Sequence, residues 1–444
     1  MKSTEIKVSS FRNFTLRQWI IFWIIILSNI VIPMTFSCIS SFFNDIASSK
    51  NVSLTSAGIV FAVFSFGGFI SSPIAGKLIP IVGVRVMFSS GMVLLSIGTL
   101  LFSLTNFIEN GTWFFIATLC LRILQSMGNA MSFTTTYAIA AKDFPNLMST
   151  ILGSVETGVG IGYTVGPFIG GYLYQYVSFA SSFLILGTVA AISSVIAFFS
   201  ITSNDSDLKS KSTDNNEDNE ENKNHLTWVE MIKIKDIWCI LLTAFIVGLI
   251  SSFHDATLAV GCKQFNLDPS KIGILFLYFG GLYALCAPII GFITDKYQIT
   301  NTLFVCGYII SIIAFLCMGP APFLNYKTSV TLFSICLTVM GFSCSMLFVP
   351  SFKKSMDIVI KENNYADSLE TSSIVSAAFS SSFSFGAFLG PFVGSALVEK
   401  LGYRNALSVV ALISFIALIT FIVVYLLPRI IKKFTHKQVY SVKF

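Results

Sequence analysis

The sequence predicts an all-α polytopic membrane protein whose 12 transmembrane helices form two pseudo-symmetric six-helix bundles. The first observation is composition: 54% of the 444 residues are hydrophobic and 11% are charged, whereas soluble domains carry about 25% charged residues. The second is a series of apolar runs of about 17 to 25 residues, each long enough to cross a bilayer. The third is a glycine-proline pattern in the fifth run that returns in the eleventh.

The apolar runs fall into two groups of six. Residues 1–201 are predicted to form the first bundle, and residues 235–444 the second bundle with a short basic tail. Residues 202–234 form an acidic linker, and its stretch 202–226 has no apolar period, so we expect that stretch to be solvated and disordered. The predicted helices lie near residues 17–39, 55–79, 84–105, 113–140, 148–175, 179–201, 236–260, 270–293, 300–318, 329–352, 366–397 and 403–427.

The positive charges are distributed unequally between the two sides of the predicted bundle. Twenty-one of the 28 Lys and Arg residues fall on the side of the termini, and six fall on the other side. Because Lys and Arg resist translocation, both termini are predicted to be cytoplasmic. The first apolar run is expected to remain as a signal-anchor and not to be cleaved.

Several functional classes are disfavoured by composition. Eight of the nine cysteines lie in apolar spans, so no disulfide or zinc framework is expected. No GxxxxGK[ST] phosphate loop occurs, so ATP is not expected to drive the protein directly. The sequence has no cluster of basic residues that would indicate binding to nucleic acid.

The glycine-proline pattern indicates an internal repeat. Its matched positions are Gly162, Gly166, Pro167 and Gly170 in the first half, and Gly386, Gly390, Pro391 and Gly394 in the second. A second match joins the ends of the second and eighth helices at Pro73 with Gly76, and at Pro288 with Gly291. Small residues let a neighbouring helix approach closely, and duplicated six-helix halves are how many transporters build a midplane site. The alternative is that glycine and proline are simply common in membrane helices.

Three charged side chains are predicted to lie within membrane spans: Glu156 in helix five, Asp255 in helix seven and Arg122 in helix four. A charge at the bilayer centre costs about 2.5 to 3.5 kcal/mol on insertion scales, so those that remain usually face a water-filled cavity. Arg122 and Glu156 are hypothesised to pair and to act as a proton switch; the alternative is a structural clasp. The alternative interpretation of Asp255 is a residue at the edge of a loop that pairs with Lys263 or Lys271.

Polar residues in three helices are candidates to line a substrate path. They are Asn29 and Ser28 in helix one, Gln125 in helix four and Tyr283 in helix eight. Hydrogen bonding between helices explains each of them equally well. His254, beside Asp255, is interpreted as an interfacial residue and not as a proton relay.

With 12 spans in two halves, the chain resembles the major facilitator superfamily. The sequence GYTVGPFIGG in helix five is similar to the antiporter motif of that superfamily's drug and amine exchangers, and Arg122, Gln125 and Gly128 match part of its Arg-centred proton motif, with Ser126 replacing one glycine. Its two gating loops are matched by Gly76, Gly83 and Arg85 after helix two, and by Gly291, Asp295 and Lys296 after helix eight. Pro80 stands where the first loop normally has an acidic residue, which leaves the charge relay of that loop in doubt.

Longer stretches, such as AAKDFPNLMSTILGSVETGVGIGYTVGPFIGGYLYQYVSF, resemble the vesicular amine transporter group and especially its polyamine-transporting branch. The monoamine carriers of that group place acidic residues where this chain has Ser28 and Ser380. Here Glu156 places a carboxylate in the symmetry-related helix. The difference argues against a monoamine substrate and leaves polyamines open.

The residues and the resemblance together predict a secondary active transporter, and not an enzyme, that works by alternating access. Vesicular protons would be exchanged for a cytosolic amine or polyamine, and the two would compete for Glu156. The expected partners are a small organic substrate, protons and the lipid bilayer, without nucleic acid, cofactor or metal. The chain is expected to be a monomer in a vesicle or other endomembrane.

Two other functions remain open at the level of the sequence. An anion, neutral-solute or drug carrier of the same superfamily would contact its substrate through Arg122 instead of Glu156. A non-transporting receptor of transporter fold is the third possibility, although the folded extramembrane module that usually marks such a protein is missing.

Overall fold

The computed structural model describes residues 14–52, 54–201, 226–265, 269–297, 299–320, 324, 326 and 328–431. Twelve long helices account for most of these residues, and the described part of the chain contains no β-strand. The helices of the first half are α1 Leu16–Ser37, α2 Leu54–Val82, α3 Val84–Phe102, α4 Gly111–Asp143, α5 Met148–Tyr176 and α6 Phe179–Ser200. Those of the second half are α7 Lys235–Cys262, α8 Pro269–Tyr297, α9 Thr300–Met318, α10 Val330–Asp357, α11 Leu369–Leu401 and α12 Tyr403–Thr420.

The membrane-crossing character of the helices agrees with the sequence prediction. Eleven of the described helices are long and apolar enough to cross a membrane. The twelfth, α5, is 29 residues long, but its glycines and tyrosines lower its hydropathy. Because successive helices run in opposite directions, α1 begins and α12 ends on the same side of the bundle. We call this the terminal side.

The polar segment between the halves is described only at its end. Residues 202–225, where the disordered linker is predicted, lie outside the described residues. The following residues form a short helix, Trp228–Lys233, which begins with a capping box between Thr227 and Glu230. Leu226 and Met231 are buried against the main hydrophobic core, so the last part of the predicted linker packs on the bundle.

The repeat seen in the sequence corresponds to equivalent helix packing in the two halves. A Cβ atom at Gly162 would overlap the Ile30 carbonyl oxygen, which shows how closely α5 lies on α1. A Cβ atom at Gly386 would likewise overlap the Phe245 carbonyl oxygen, and one at Gly390 would come within 2.7 Å of the Leu249 oxygen, where α11 lies on α7. The prediction of two pseudo-symmetric halves is confirmed.

The two halves meet where α5 faces α8 and where α2 faces α11. Toward the terminal side, Gly291 of α8 packs against the backbone of Ser149, and Gly153 of α5 packs against that of Ala287. We call this contact, between residues 148–157 and 284–295, the α5–α8 seam. Gly76 makes the symmetry-related contact with α11. The described helices are therefore closely packed between the halves on the terminal side.

Candidate functional site

Glu156 lies at the contact between the two halves, about 12 Å along α5 from its start at 1.5 Å per residue. Its side chain is buried, with 2% of its surface exposed. One carboxylate oxygen, Oε1, accepts a hydrogen bond of 2.7 Å from the hydroxyl of Tyr137 in α4. The other, Oε2, accepts one of 2.8 Å from the hydroxyl of Tyr283 in α8. The carboxylate is thus held by one tyrosine of its own half and one of the opposite half.

The helix backbones around Glu156 touch because small residues flank it. Gly153 packs on the Ala287 backbone, and a Cβ atom at Gly160 would come within 2.8 Å of the Ala284 Cβ. Between them the hydroxyl of Thr157 donates a hydrogen bond of 2.7 Å to the Ala284 carbonyl oxygen. Glu156 is buried beside this contact, and the tyrosine hydroxyls supply the hydrogen bonds that a buried carboxylate requires.

Arg122 does not pair with Glu156, so that hypothesis is corrected by the structure. Its guanidinium donates to Gln125 Oε1 at 2.9 Å and to the Phe36 carbonyl oxygen at 3.1 Å. The two residues are far apart along the bundle, because Arg122 lies about 30 Å from the terminal end of α4 and Glu156 only about 12 Å from that side. The rings within 6 Å of the guanidinium belong to Phe36, Phe64 and Phe102.

Two of the predicted lining residues make hydrogen bonds between helices of the first half. Asn29 is buried and donates to Thr136 Oγ1 in α4 at 3.1 Å. Gln125 joins α4 to α3 through a 3.2 Å hydrogen bond to Thr99 Oγ1. Both contacts agree with the alternative of structural hydrogen bonding. Ser28 is also buried, and its hydroxyl has no hydrogen-bond partner among the described residues.

Asp255 lies in α7, about 30 Å from the terminal-side start of that helix. In contrast to Glu156 it is exposed. Tyr163 of α5, about two turns beyond Glu156 along the same helix, is 38% exposed. The side chains of Lys263 and Lys271, the alternative partners of Asp255, lie outside the described residues.

His254 is not interfacial, contrary to the sequence interpretation. It is 1% exposed and stacks on Phe279 at 5.2 Å and on Phe315 at 5.4 Å between ring centroids. Its Nδ1 lies 2.7 Å from the Ile250 carbonyl oxygen. The ring is therefore part of the packing between α7, α8 and α9.

The second gating motif lies at the end of α8 and not in a loop after it. It joins the two halves through Asp295. Its Oδ2 accepts hydrogen bonds from the Thr150 backbone N–H at 2.8 Å and from the Thr150 hydroxyl at 2.7 Å. Its Oδ1 forms an ion pair with Lys353 of α10. Lys296, the neighbouring motif residue, lies over the rings of Phe292 and Tyr297. Asp295 thus closes the terminal end of the α5–α8 seam.

The corresponding loop after α2 makes no equivalent ionic contact with the residues that the structure describes. Gly83 has a φ of +85°, which explains the glycine in the turn between α2 and α3. The Arg85 guanidinium lies 4.1 Å from the centre of the Phe198 ring. Pro80 continues α2 where an acidic residue is the usual feature. The two loops are therefore related in backbone but not in charge.

The prolines of the repeat lie inside their helices, Pro167 in α5 and Pro391 in α11. Gly166 and Gly170, on either side of Pro167, pack on the end of α1 and the residue after it. Ser380 stands in α11 where Glu156 stands in α5. It is buried, and its hydroxyl has no hydrogen-bond partner in the part of the chain that the structure describes.

Sequence reasoning missed Tyr137, Thr150 and Lys353. Tyr137 follows three threonines in helix four, so its hydroxyl gave no distinct signal. Lys353 is one of the 21 Lys and Arg residues on the terminal side, and a threonine at the start of a helix is too common to single out. Their roles depend on which helices meet, which the sequence alone does not specify.

Comparison with known proteins identifies related chains over nearly the whole length. The profile of the Major Facilitator Superfamily matches residues 25–352 and 256–438. A Homo sapiens protein named MFS-type transporter SLC18B1 is 30% identical over 410 residues, which cover 91% of this chain and 86% of that protein. The Rattus norvegicus protein of the same name is 29% identical over 386 residues, 86% of this chain and 81% of that one.

More distant similarities extend to a bacterial pump and a solved structure. A Lactococcus lactis protein named multi-drug resistance efflux pump PmrA homolog is 23% identical over 374 residues, covering 81% of this chain and 82% of that protein. The crystal structure of the human organic anion transporter MFSD10 (TETRAN) superposes with a TM-score of 0.69 at 13% identity, covering 91% of this chain and 99% of that one. At this identity the structural likeness shows the fold alone.

Proposed function

The chain belongs to the Major Facilitator Superfamily and is a multi-pass membrane transporter, and from this premise we propose that it exchanges protons for an organic cation by alternating access. The observation that carries the proposal is the position of Glu156, an ionisable group buried between the two halves. Protein transporters of this architecture bind substrate and coupling ions near the interface of their repeats. A carboxylate at that interface can hold a proton or a cation, but not both at once.

An extended polyamine is the proposed substrate. Asp255 supplies a second carboxylate farther from the terminal side than Glu156. Two separated carboxylates match a cargo with several positive charges, whereas a monoamine needs only one. The sequence resemblance to the polyamine-transporting branch of the vesicular amine transporters supports the same choice.

The proposed direction is loading of a vesicle. If the terminal side faces the cytoplasm, as the distribution of Lys and Arg predicts, the packed α5–α8 seam closes the site from the cytoplasm. Asp255 is exposed nearer the opposite side. A proton would then reach the site from the vesicle interior after the cation has left.

An anion or drug carrier is the alternative that the structural neighbour and the bacterial relative suggest by their names. Arg122 would have to contact an anion, yet it is fully buried and its guanidinium faces Gln125, the Phe36 carbonyl oxygen and three aromatic rings. This environment supports a structural role for Arg122. It does not favour an anion or drug carrier over a carrier of organic cations.

Uptake into acidified proteoliposomes tests the proposed function. Glu156→Gln keeps the shape of the side chain but cannot ionise, so uptake of labelled polyamine driven by a pH gradient should be abolished while the protein remains folded and inserted. The matched control is Glu399→Gln, because Glu399 is exposed near the end of α11; it should transport normally. Wild-type uptake by Glu156→Gln would contradict the proposal, and uptake of organic anions but not of amines would favour the alternative.

A further inference from the structure

We infer that Tyr283 is a positioning residue that couples the protonation of Glu156 to the opening of the α5–α8 seam. The inference rests on the proposed function, since it assumes that Glu156 gains and loses a proton during transport. It goes further by naming the contact through which that proton changes the relation between the two halves.

Glu156 accepts two hydrogen bonds of the same kind, and they differ in which half of the protein supplies the donor. The bond from Tyr137 stays within the first half, because α4 and α5 belong to it. The bond from Tyr283 crosses to the second half. Their lengths, 2.7 and 2.8 Å, are nearly equal. Only the second bond must break when the halves separate along the seam.

The strength of the crossing bond depends on the charge of Glu156. An ionised carboxylate accepts from both tyrosines, and hydrogen bonds to a charged acceptor are roughly twice as strong as neutral ones. A protonated carboxyl group is a weaker acceptor, and its own O–H must find a partner. Protonation therefore weakens the link between the halves, and ionisation restores it.

The groups that face Glu156 add no positive charge. The described groups that contact its carboxylate are the hydroxyls of Tyr137 from α4 and Tyr283 from α8, whereas Asp255 of α7 lies farther along the bundle. From α1, Ile26 and Ile30 pack on the next turn at Gly158. Among the described neighbours, the two tyrosine hydroxyls are thus the groups that respond directly to ionisation of the carboxyl group.

The direction of this coupling suits proton–cation exchange. A proton that binds from the open side would loosen the α5–α8 seam and favour opening on the terminal side. Release of the proton there would let a cation bind and the seam close again. Asp295, which accepts hydrogen bonds from Thr150 across the end of the seam, would contribute to closure in both protonation states.

The chain offers two matched controls. Tyr137→Phe removes a hydrogen bond to the same carboxylate within the first half and keeps the ring, which packs on Phe352 and Phe379 of the second half. Thr157→Val removes a hydrogen bond across the seam, from the Thr157 hydroxyl to the Ala284 carbonyl oxygen, that involves no titratable group. Tyr283→Phe alone removes a bond that both crosses the seam and ends on Glu156.

Hydrogen–deuterium exchange of the purified full-length protein measures the seam without relying on transport. Exchange of peptides covering residues 148–157 and 284–295 is compared at about pH 7.5 and about pH 5.5, with labelling times scaled for the chemical exchange rate. In the wild type we expect exchange to rise roughly tenfold at the lower pH, the effect of weakening one charge-assisted hydrogen bond. In Tyr283→Phe, exchange should be fast at both pH values and the ratio should fall to about one.

The controls separate a coupling role from a merely structural one. Tyr137→Phe should keep the wild-type pH ratio, and Thr157→Val should raise exchange equally at both pH values and keep that ratio. Glu156→Gln should match the acidic wild type at both pH values, which tests the idea even if Tyr283→Phe folds poorly. A wild-type pH ratio in Tyr283→Phe, or no pH effect in the wild type, would overturn the inference. Failure of the proposed function appears separately, as persistent proton-driven uptake by Glu156→Gln.

Discussion

Glu156 and Asp255, the two carboxylates of the proposed transport path, differ in surroundings. Glu156 is buried between helix backbones and held by two tyrosine hydroxyls, whereas Asp255 is exposed in α7. A buried carboxylate depends on each hydrogen bond it accepts, and an exposed one can exchange partners with water. The first residue is suited to a proton, and the second to the charged end of a mobile cargo.

The proposed two-point binding of a polyamine can be tested at Asp255. Asp255→Asn should weaken binding of a tri- or tetra-amine by about 1 to 3 kcal/mol, the range for a lost charge-assisted hydrogen bond, and should affect a monoamine much less. Competition of amines of increasing length against labelled substrate gives the measurement. Asp367→Asn, at an exposed residue before α11, is the matched control. If all amines weaken equally, Asp255 has a structural or gating role instead.

Sequence reasoning located the carboxylates but not their partners. Glu156 stood out because charges are rare in apolar helices, so its position could be inferred from composition and helix length. Tyr137 and Tyr283 are aromatic residues among many, and nothing in their local sequence shows that they meet on one carboxylate. The predicted pairing of Arg122 with Glu156 was wrong because the two residues lie at different depths in the bundle. That two helices follow each other in the sequence does not place their charged residues at the same depth.

At the level of elements, α5 carries two glycine faces with different partners. Gly158, Gly162, Gly166 and Gly170 follow each other every four residues and face α1 and the residue after it, whereas Gly153 and Gly160 face α8. The first face lies within one half, and the second lies at the contact between the halves. The same helix is therefore fixed on one side and separable on the other.

Alanine substitutions should distinguish these faces. Gly162→Ala would drive a Cβ atom into the Ile30 carbonyl oxygen, so we expect a loss of stability of about 1 to 3 kcal/mol, typical of overpacking. Gly291→Ala meets the backbone of Ser149 across the seam and should alter transport more than stability, because the open form relieves the overlap. Thermal unfolding in detergent and uptake in liposomes measure the two effects.

Gly58→Ala is the control for both substitutions, because a Cβ atom there has no neighbour within 4 Å. It should leave unfolding and uptake unchanged or be slightly stabilising, since alanine favours a helix over glycine by roughly 0.5 to 1 kcal/mol. An equal loss of stability in all three variants would contradict the assignment of the two faces.

Helix positions followed from the sequence, because apolar runs of membrane length have few alternatives in lipid. For example, the run predicted near residues 148–175 corresponds to Met148–Tyr176. The short helix Trp228–Lys233 was missed, since its six residues fall in a polar region where length gives no signal. Its capping residues, Thr227 and Glu230, were the available indication.

At the scale of the whole molecule, the two gating loops are unequal. Asp295 connects α8 to both Thr150 and Lys353, whereas Arg85 rests on the ring of Phe198. Among the described residues, the second motif therefore makes ionic and hydrogen-bond contacts, whereas the first packs on an aromatic ring. Raised salt concentration is expected to weaken ionic contacts more than packing.

The acidic linker is predicted to connect the halves without directing them, because its composition cannot bury a core. Deleting residues 204–222 should leave transport within a few-fold of the wild type, provided that the remaining residues still span the two bundles. Uptake by the deletion variant, with membrane insertion checked in parallel, tests this. Complete loss of uptake in a correctly inserted protein would show that the linker takes part in gating.

Ser380 has a buried hydroxyl at the position equivalent to Glu156. This difference shows how the two duplicated halves have diverged. A duplicated gene begins with two identical halves, and only one of them has to carry a carboxylate if one is enough for the task. The other half is then free to diverge while it keeps its glycine contacts. Ser380 marks the place where an acidic substitution would give the second half a carboxylate equivalent to Glu156.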